Sequence, residues 1–251
     1  MSGIIGVIPS RWGSTRFPGK SLYPILGKPL LQWVVERARQ ARALDRLLVA
    51  TDDARIRAAA QKFGAEVVMT SPDHPSGTDR IAEAVRGLAA DVVVNIQGDE
   101  PLIDPALINE LGRTLINDQS WDMATAAAPI RTAYEMESSS VVKVVRAADG
   151  AALYFSRATI PFTRDAAGSA APEGLHWRHI GIYAYRRTFL DRLVQTPPCV
   201  LETTERLEQL RALWLGCRMK VLETNDVGLG VDVPEDVARA EQALRRSGVM
   251  E

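Results

Sequence analysis

Ile4-Ile5-Gly6-Val7-Ile8-Pro9-Ser10-Arg11-Trp12-Gly13-Ser14-Thr15-Arg16-Phe17-Pro18-Gly19-Lys20 is the stretch that decides the fold of this chain. Its opening run, Ile4 to Ile8, is almost continuously apolar and reads as a strand of a buried parallel sheet. The loop that follows carries Arg11, Arg16 and Lys20 among Gly13, Ser14, Thr15 and Gly19. Glycine lets backbone approach a ligand closely, and a turn of free N–H groups makes an anion nest. Three cations added to such a nest suit a polyanion such as a triphosphate. A solvated basic loop is the plainer alternative. Position favours the phosphate reading, because α/β sheets bind ligands at the carboxyl ends of their strands. Neither G-x-x-x-x-G-K-[ST] nor G-x-G-x-x-G is present, so this is not a Walker loop or a dinucleotide fingerprint.

Outward from that loop, strand and helix alternate. Leu30, Leu31, Val34, Val35 and Ala38 recur at helical spacing. Arg46–Thr51 reads as a second buried strand, ending in Asp52-Asp53, which can cap a helix over Ala54–Phe63. Glu66–Met69 is a third strand, and Thr70–Asp79 is a polar loop opening the helix of Ile81, Ala84, Val85 and Leu88. Asp91–Ile96, continuous and β-branched, is a fourth and central strand. The expectation is an α/β three-layer sandwich with a mostly parallel sheet. Beyond a helix near Leu107–Ile116 the runs shorten: Met123–Ala128, Val141–Val145, Leu153–Ser156 and Ile180–Tyr185. They read as a smaller mixed or antiparallel lobe, around 123–200, within one domain spanning 1–251. Thr163–Leu175 is the mobile-loop candidate, Thr203–Trp214 a helix, Met219–Glu223 a strand, and Pro234 opens a closing helix.

The totals bound the function. Hydrophobic residues make up 46% and charged residues 24% of 251, which is ordinary for a globular protein. A net charge of −1 gives no reason to expect nucleic-acid or membrane partners. Cys199 and Cys217 form neither a disulfide framework nor a zinc set. With no signal peptide and no membrane-length apolar run, the cytoplasm is the expected location.

Chemistry gathers at strand ends. Gln97-Gly98-Asp99-Glu100-Pro101 ends the fourth strand, where a carboxylate points into the ligand crevice. Asp232 follows a later strand; capping of the last helix is its plainer role. Two separated carboxylates beside a basic loop suit a Mg2+–triphosphate complex, since Mg2+ is commonly held by one or two carboxylates and phosphates. His74, Ser76 and Gly77 stand where a helix begins, able to contact a base or phosphate; for Ser76 a simple cap competes. Arg157, Arg178, His179, Tyr183 and Tyr185 suit an acidic, hydroxyl-rich substrate, against the alternative of ordinary strand-face polar residues. No G-x-S-x-G or H-E-x-x-H occurs, which disfavours covalent hydrolysis and zinc chemistry.

Taken together, Ile8–Arg11 with Arg16–Lys20 resembles the signature of sugar nucleotidylyltransferases. Ala50–Asp52, His74–Arg80, Asn95–Pro101, Ala152–Arg157, Arg178–Tyr183 and Leu207–Arg211 narrow the resemblance to the 3-deoxy-manno-octulosonate (Kdo) cytidylyltransferases. It covers effectively the whole chain. Asp79 stands where that family usually has glutamate, and Phe162-Thr163 replaces its usual Trp-Asp. The resemblance implies CMP transfer from CTP to the anomeric hydroxyl of Kdo, with Mg2+, in a homodimer. It implies phosphate and catalytic roles for Arg11, Lys20 and Asp99. Pro9, Ser10, Thr51, Asp52, His74, Ser76 and Gly77 would join Arg11 and Lys20 around the nucleotide. Gln97, Arg157, His179, Tyr183, Glu202 and Gln209 would bind the sugar, with Arg157 facing its carboxylate, and Asp99 and Asp232 would hold the metal. The rival acceptors are an amino analogue of Kdo or a sialic acid; the rival class is a non-catalytic nucleotide binder.

Overall fold

The computed structural model describes residues 3–13, 16–164, 174–225 and 228–248. β1 (Ile4–Ser10) shows why its sequence must be apolar on both sides. Ile4 and Ile8 pack into one core while Ile5 and Val7 pack into another, on the opposite face of the sheet. The next elements are a 3-10 turn (Lys20–Leu22), the hairpin β2 (Pro24–Ile25) and β3 (Lys28–Pro29), and α1 (Leu30–Ala38). β4 (Arg46–Thr51), α2 (Ala54–Lys62), β5 (Glu66–Met69), α3 (Gly77–Ala84) and β6 (Val92–Asn95) follow the expected alternation. Asp53 caps α2 by accepting the Arg55 N–H at 2.8 Å.

After α4 (Pro105–Asn117) come β7 (Met123–Pro129), α5 (Ala133–Glu137), β8 (Lys143–Arg146), β9 (Ala152–Ser156), β10 (Trp177–Arg186) and α6 (Arg187–Val194). α7 (Val200–Glu205), α8 (Gln209–Trp214), β11 (Met219–Glu223) and α9 (Asp236–Arg246) complete the chain. The sheet runs β11-β7-β10-β6-β1-β4-β5, with the β8–β9 pair branching from β10. Along that path β10 alone runs against its neighbours. Thus β7 and β11, read above as part of an antiparallel region or a separate strand, extend the central sheet in its own direction. α1, α2 and α4 cover one face, and α3, α6 and α8 the other. This is the three-layer arrangement the alternation predicts. α9 closes a smaller core with Phe17, Ile25, Leu30, Trp33 and Val231.

The structure corrects one element and adds several. Thr203–Trp214 is not one helix: α7 ends at Arg206, whose φ of 52° lies in the left-handed region, and α8 restarts at Gln209. α5, α6 and the β2–β3 hairpin have no counterpart in the sequence reading. The mobile-loop candidate Thr163–Leu175 falls mostly on 165–173, outside the described residues.

β10 carries an irregularity between Ile180 and Tyr183, and His179 and Tyr183, four residues apart, share one face of it. His179 is shut between Phe155 and Tyr183, at ring-centroid distances of 4.9 and 5.4 Å. Thr125 Oγ1 lies 2.8 Å from the Ile182 carbonyl and 2.9 Å from His179 Nε2. The hydroxyl's one proton goes to the carbonyl, so Nε2 is the protonated nitrogen and donates to Thr125. Desolvation pulls the imidazole pKa down to about 3. Between that value and the ordinary 6.5 the unfolded chain binds a proton that the fold refuses. The stabilising contribution is therefore full above 6.5 and lost as pH falls toward 3. His179→Gln removes the titration. The stability gap between wild type and variant, read by urea unfolding, should shrink by up to about 1.4 kcal/mol per pH unit below neutrality. A gap constant from pH ~7 to ~4 would refute it.

Candidate active site

Because Ile4–Val7 pair with Val92–Asn95, β1 and β6 end side by side. The loops leaving them face each other across a cavity of about 320 Å3. Pro9, Ser10, Arg11, Arg16 and Lys20 line it from the first loop, and Gln97, Gly98 and Asp99 from the second. His74, Ser76, Gly77 and Arg80 enter from the start of α3, and Asp232 from the loop before α9. The two β-end loops touch: a Cβ on Gly98 would stand 3.0 Å from the Pro9 carbonyl oxygen.

Lys20 centres the charge arrangement. Its Nζ donates to Asp99 Oδ2 at 2.5 Å, to Asp232 Oδ1 at 3.2 Å and to the Val231 carbonyl at 3.2 Å. Arg16 pairs with the same Asp232 oxygen at 3.1 Å. The Val231 N–H donates to the Asp99 carbonyl at 2.9 Å, tying the two carboxylate loops together. Asp232 does not cap α9, whose N-cap is Glu235. Instead the Asp236 carboxylate accepts the N–H groups of Asp232 and Val233, at 2.9 and 3.1 Å. The Asp232 carboxylate is left to the cations. Asp99 and Asp232 thus offer hard oxygens converging on one positive charge. Among the described residues no cluster of three or more His, Cys, Asp or Glu forms a metal cage. Two carboxylates fit a cation that keeps water and phosphate oxygens as its other ligands, as Mg2+ does.

Several expected nucleotide residues serve other groups. Thr51 is fully buried and accepts the Asp53 N–H at 3.2 Å. Asp52 holds Arg80 at 2.8 Å, and it is Arg80 that reaches the cavity. Ser76 caps α3, accepting the N–H groups of Thr78 and Asp79 at 3.1 and 3.3 Å while still lining the wall. His74 Nε2 pairs closely with Glu83. The Ser71 N–H, and then His74, hold the Glu83 carboxyl below its usual range.

A second cavity, of about 210 Å3, shares Pro9, Gly77 and Gln97 with the first. Asn95, Tyr183, Tyr185, Glu208 and Gln209 are among its other walls. Gln97 is held by donating Nε2 to the Gly181 carbonyl at 2.8 Å. Burial, with Tyr185 and Glu208 nearby, pushes the Tyr183 phenol well up, so it remains a hydroxyl donor. Glu208 accepts from the Thr78 hydroxyl at the start of α3.

Three expected sugar residues do not line this cavity. His179 stacks behind Tyr183. Glu202 faces a neighbouring groove and pairs with Arg211 at 3.1 Å, while burial raises its pKa against the pull of that arginine. Arg157 lines neither cavity. Its Nε donates to the Glu205 carbonyl at 2.8 Å and its Nη1 to the Ser139 carbonyl at 2.9 Å. From this position it joins β9 to the α7–α8 break. Arg80, Asn95 and Glu208 are among the wall residues to which sequence reasoning gave no role. All three lie inside stretches it singled out, His74–Arg80, Asn95–Pro101 and Leu207–Arg211.

The chain matches the Cytidylyltransferase family over residues 5–221. It is 49% identical over 246 residues to the 3-deoxy-manno-octulosonate cytidylyltransferase of Bdellovibrio bacteriovorus, covering 98% of this chain and 99% of that one. The enzyme of the same name from Pseudomonas fluorescens is 52% identical over 246 residues, covering 95% and 96%. A solved structure of CMP:2-keto-3-deoxy-manno-octonic acid synthetase complexed with CTP superposes with a TM-score of 0.92 at 40% identity, over 98% of this chain and 100% of that one. With a charged cavity at the ends of β1 and β6, and relatives matched along nearly their whole length, this chain belongs to the cytidylyltransferase family, in the group of the 3-deoxy-manno-octulosonate cytidylyltransferases.

Proposed function

We propose that this chain transfers the CMP group of CTP to the anomeric hydroxyl of Kdo, giving CMP-Kdo and diphosphate for lipopolysaccharide assembly. The observation that carries the reading is the join between the two cavities. A cation-lined chamber meets a hydroxyl-binding one at Pro9, Gly77 and Gln97. A triphosphate in the first and a sugar in the second bring the α-phosphorus and the acceptor hydroxyl to that seam. The relatives' names and the CTP complex support the same assignment.

The hydroxyl oxygen attacks the α-phosphorus in line with the bond to the β-phosphate. The new O–P bond forms, the old one breaks, the hydroxyl gives its proton to solvent water and diphosphate leaves with the electron pair. Such transfer depends on positioning and on charge stabilisation already in place. Arg11, Arg16 and Lys20 supply that charge around the phosphates. Asp99 and Asp232 would hold Mg2+, which shields phosphate charge and lowers the pKa of a bound hydroxyl. Lys20 Nζ and such a cation are rivals for the same carboxylate oxygens. Among the described walls of the second cavity, Glu208 is the charged group; Asn95, Gln97, Tyr183 and Gln209 are neutral partners for sugar hydroxyls. The sugar carboxylate therefore turns toward the cations of the first cavity. It carries with it the hydroxyl on the adjoining anomeric carbon. The buried free thiols Cys199 and Cys217 suit a reducing cytoplasm. Tyr134, Leu153 and Phe162, large and exposed around the β8–β9 region, support a homodimer built there.

Asp99→Asn should abolish diphosphate release from CTP and Kdo while leaving the circular dichroism spectrum and unfolding midpoint unchanged. Near-normal turnover at saturating Mg2+ would refute the role of Asp99. Lys20→Met should weaken CTP by roughly 1.5–3 kcal/mol, the range for a lost hydrogen bond to a charged group. It should at the same time tighten binding of Mn2+ offered alone, because the rival ammonium is gone; calorimetry that finds neither change counts against the arrangement. Light scattering should return twice the chain mass of 27.5 kDa, and a monomer would remove the dimer from the reading.

A further inference from the structure

Trp12 sits between Arg11, which lines the first cavity, and a set of contacts on the far side of the loop. Its carbonyl accepts the Gly19 N–H at 3.0 Å. Its ring also occupies the space a Gly19 side chain would need: a Cβ there would lie 3.0 Å from Cη2 and Cζ2. Gly19 has a φ of +73°, and Lys20 follows it directly. One tryptophan therefore closes the loop at both ends, next to Arg11 on one side and Lys20 on the other. The Arg55 guanidinium lies 3.5 Å from the centroid of the Trp12 ring. Arg55 is itself clamped by the α2 cap residue, its Nε on Asp53 Oδ1 at 3.0 Å and its Nη2 on Asp53 Oδ2 at 2.6 Å. The neighbouring Asp52 holds Arg80, another cavity cation.

We propose that Trp12, braced by Arg55 and Asp53, is a positioning residue for the triphosphate site. It sets the span between Arg11 and Lys20 so that the loop's cations converge before the nucleotide arrives. This rests on the reading that the first cavity takes a triphosphate. The physical reason is preorganisation. A loop already closed loses little freedom on binding, whereas an open one must be ordered by the ligand at a cost in affinity. A flat aromatic face is what a guanidinium stacks on, so another aromatic ring can serve and an aliphatic one cannot.

The test compares wild type, Trp12→Ala, Trp12→Phe and Arg55→Ala. It measures CTP binding by calorimetry, steady-state kinetics with CTP and Kdo, and unfolding midpoints. Trp12→Ala should raise the Kd and KM for CTP by about three- to fivefold, the range for a cation–π contact at an exposed site. Its kcat at saturating CTP and its KM for Kdo should stay close to wild type, while its unfolding midpoint falls modestly because Trp12 also packs on the core. Trp12→Phe should restore most of the CTP affinity. Arg55→Ala should weaken CTP by a smaller factor that does not multiply with that of Trp12→Ala in the double variant. A merely structural role would disturb both substrates together as the midpoint falls; that result overturns the proposal. Unchanged CTP affinity in Trp12→Ala, or failure of phenylalanine to rescue, overturns it as well while leaving the proposed reaction standing. Wild-type protein that binds no CTP overturns both.

Discussion

The ammonium of Lys20 between Asp99 and Asp232 is the contact on which the rest of the site depends. It joins residues 79 and 212 positions away in the chain. Three loops that have no sequence proximity meet at one nitrogen. Carboxylates this close to each other repel, and a cation between them relieves that repulsion. A positive charge between them therefore favours this geometry, beside the Val231–Asp99 backbone hydrogen bond. Lysine meets that need within the chain, and a divalent ion brought by a triphosphate meets it in the proposed reaction. The same pair of carboxylates serves both, which makes the phosphate loop and the metal ligands one device rather than two.

That meeting is arranged by the sheet. β1 and β6 run parallel and adjacent, so both loops leave at the same edge. The chain returns to that edge a third time in the loop before α9. The acceptor side has a different origin. It depends on β10, the one strand on the central path that opposes its neighbours, and on the irregularity in it. That irregularity presents the Gly181 carbonyl to Gln97 and sets Tyr183 toward the second cavity. Nucleotide and sugar halves are thus built from opposite strand directions, and they touch at Gln97.

How much of this was legible follows from the physics of each element. The parallel strands stood out because burial on both faces demands unbroken apolar runs. The loop cations and Asp99 stood out because they lie just past such runs. Thr203–Trp214 misled because Leu207, Leu210 and Leu213 keep helical spacing, while the break at Arg206 is set by backbone conformation that side-chain pattern does not record. Arg157 was harder to place for a related reason. An arginine after a strand can turn to a ligand or to nearby carbonyls, and only the fold brings Ser139 and Glu205 within its reach. Asn95 and Glu208 stood inside quoted stretches, but Asn95 read as the end of a core strand and Glu208 as a position of a leucine-patterned helix.

Net charge, unlike the loop cations themselves, was silent about the site. A net charge of −1 gives no hint of a cavity with Arg11, Arg16, Lys20 and Arg80 in its wall against Asp99 and Asp232. The excess is local, and local is how it must act. Salt at physiological strength screens exposed charges beyond about 8 Å, so a near-neutral protein exerts little pull on a distant nucleotide. The cavity must hold its ligand by contact. Contact rewards cations fixed in place: Arg80 is fixed by Asp52 and Thr70, Lys20 by two carboxylates and a carbonyl, Arg16 by Asp232. Neutrality overall and rigidity at the site are then two sides of one requirement, because a site that cannot attract from afar has to be assembled before its ligand comes.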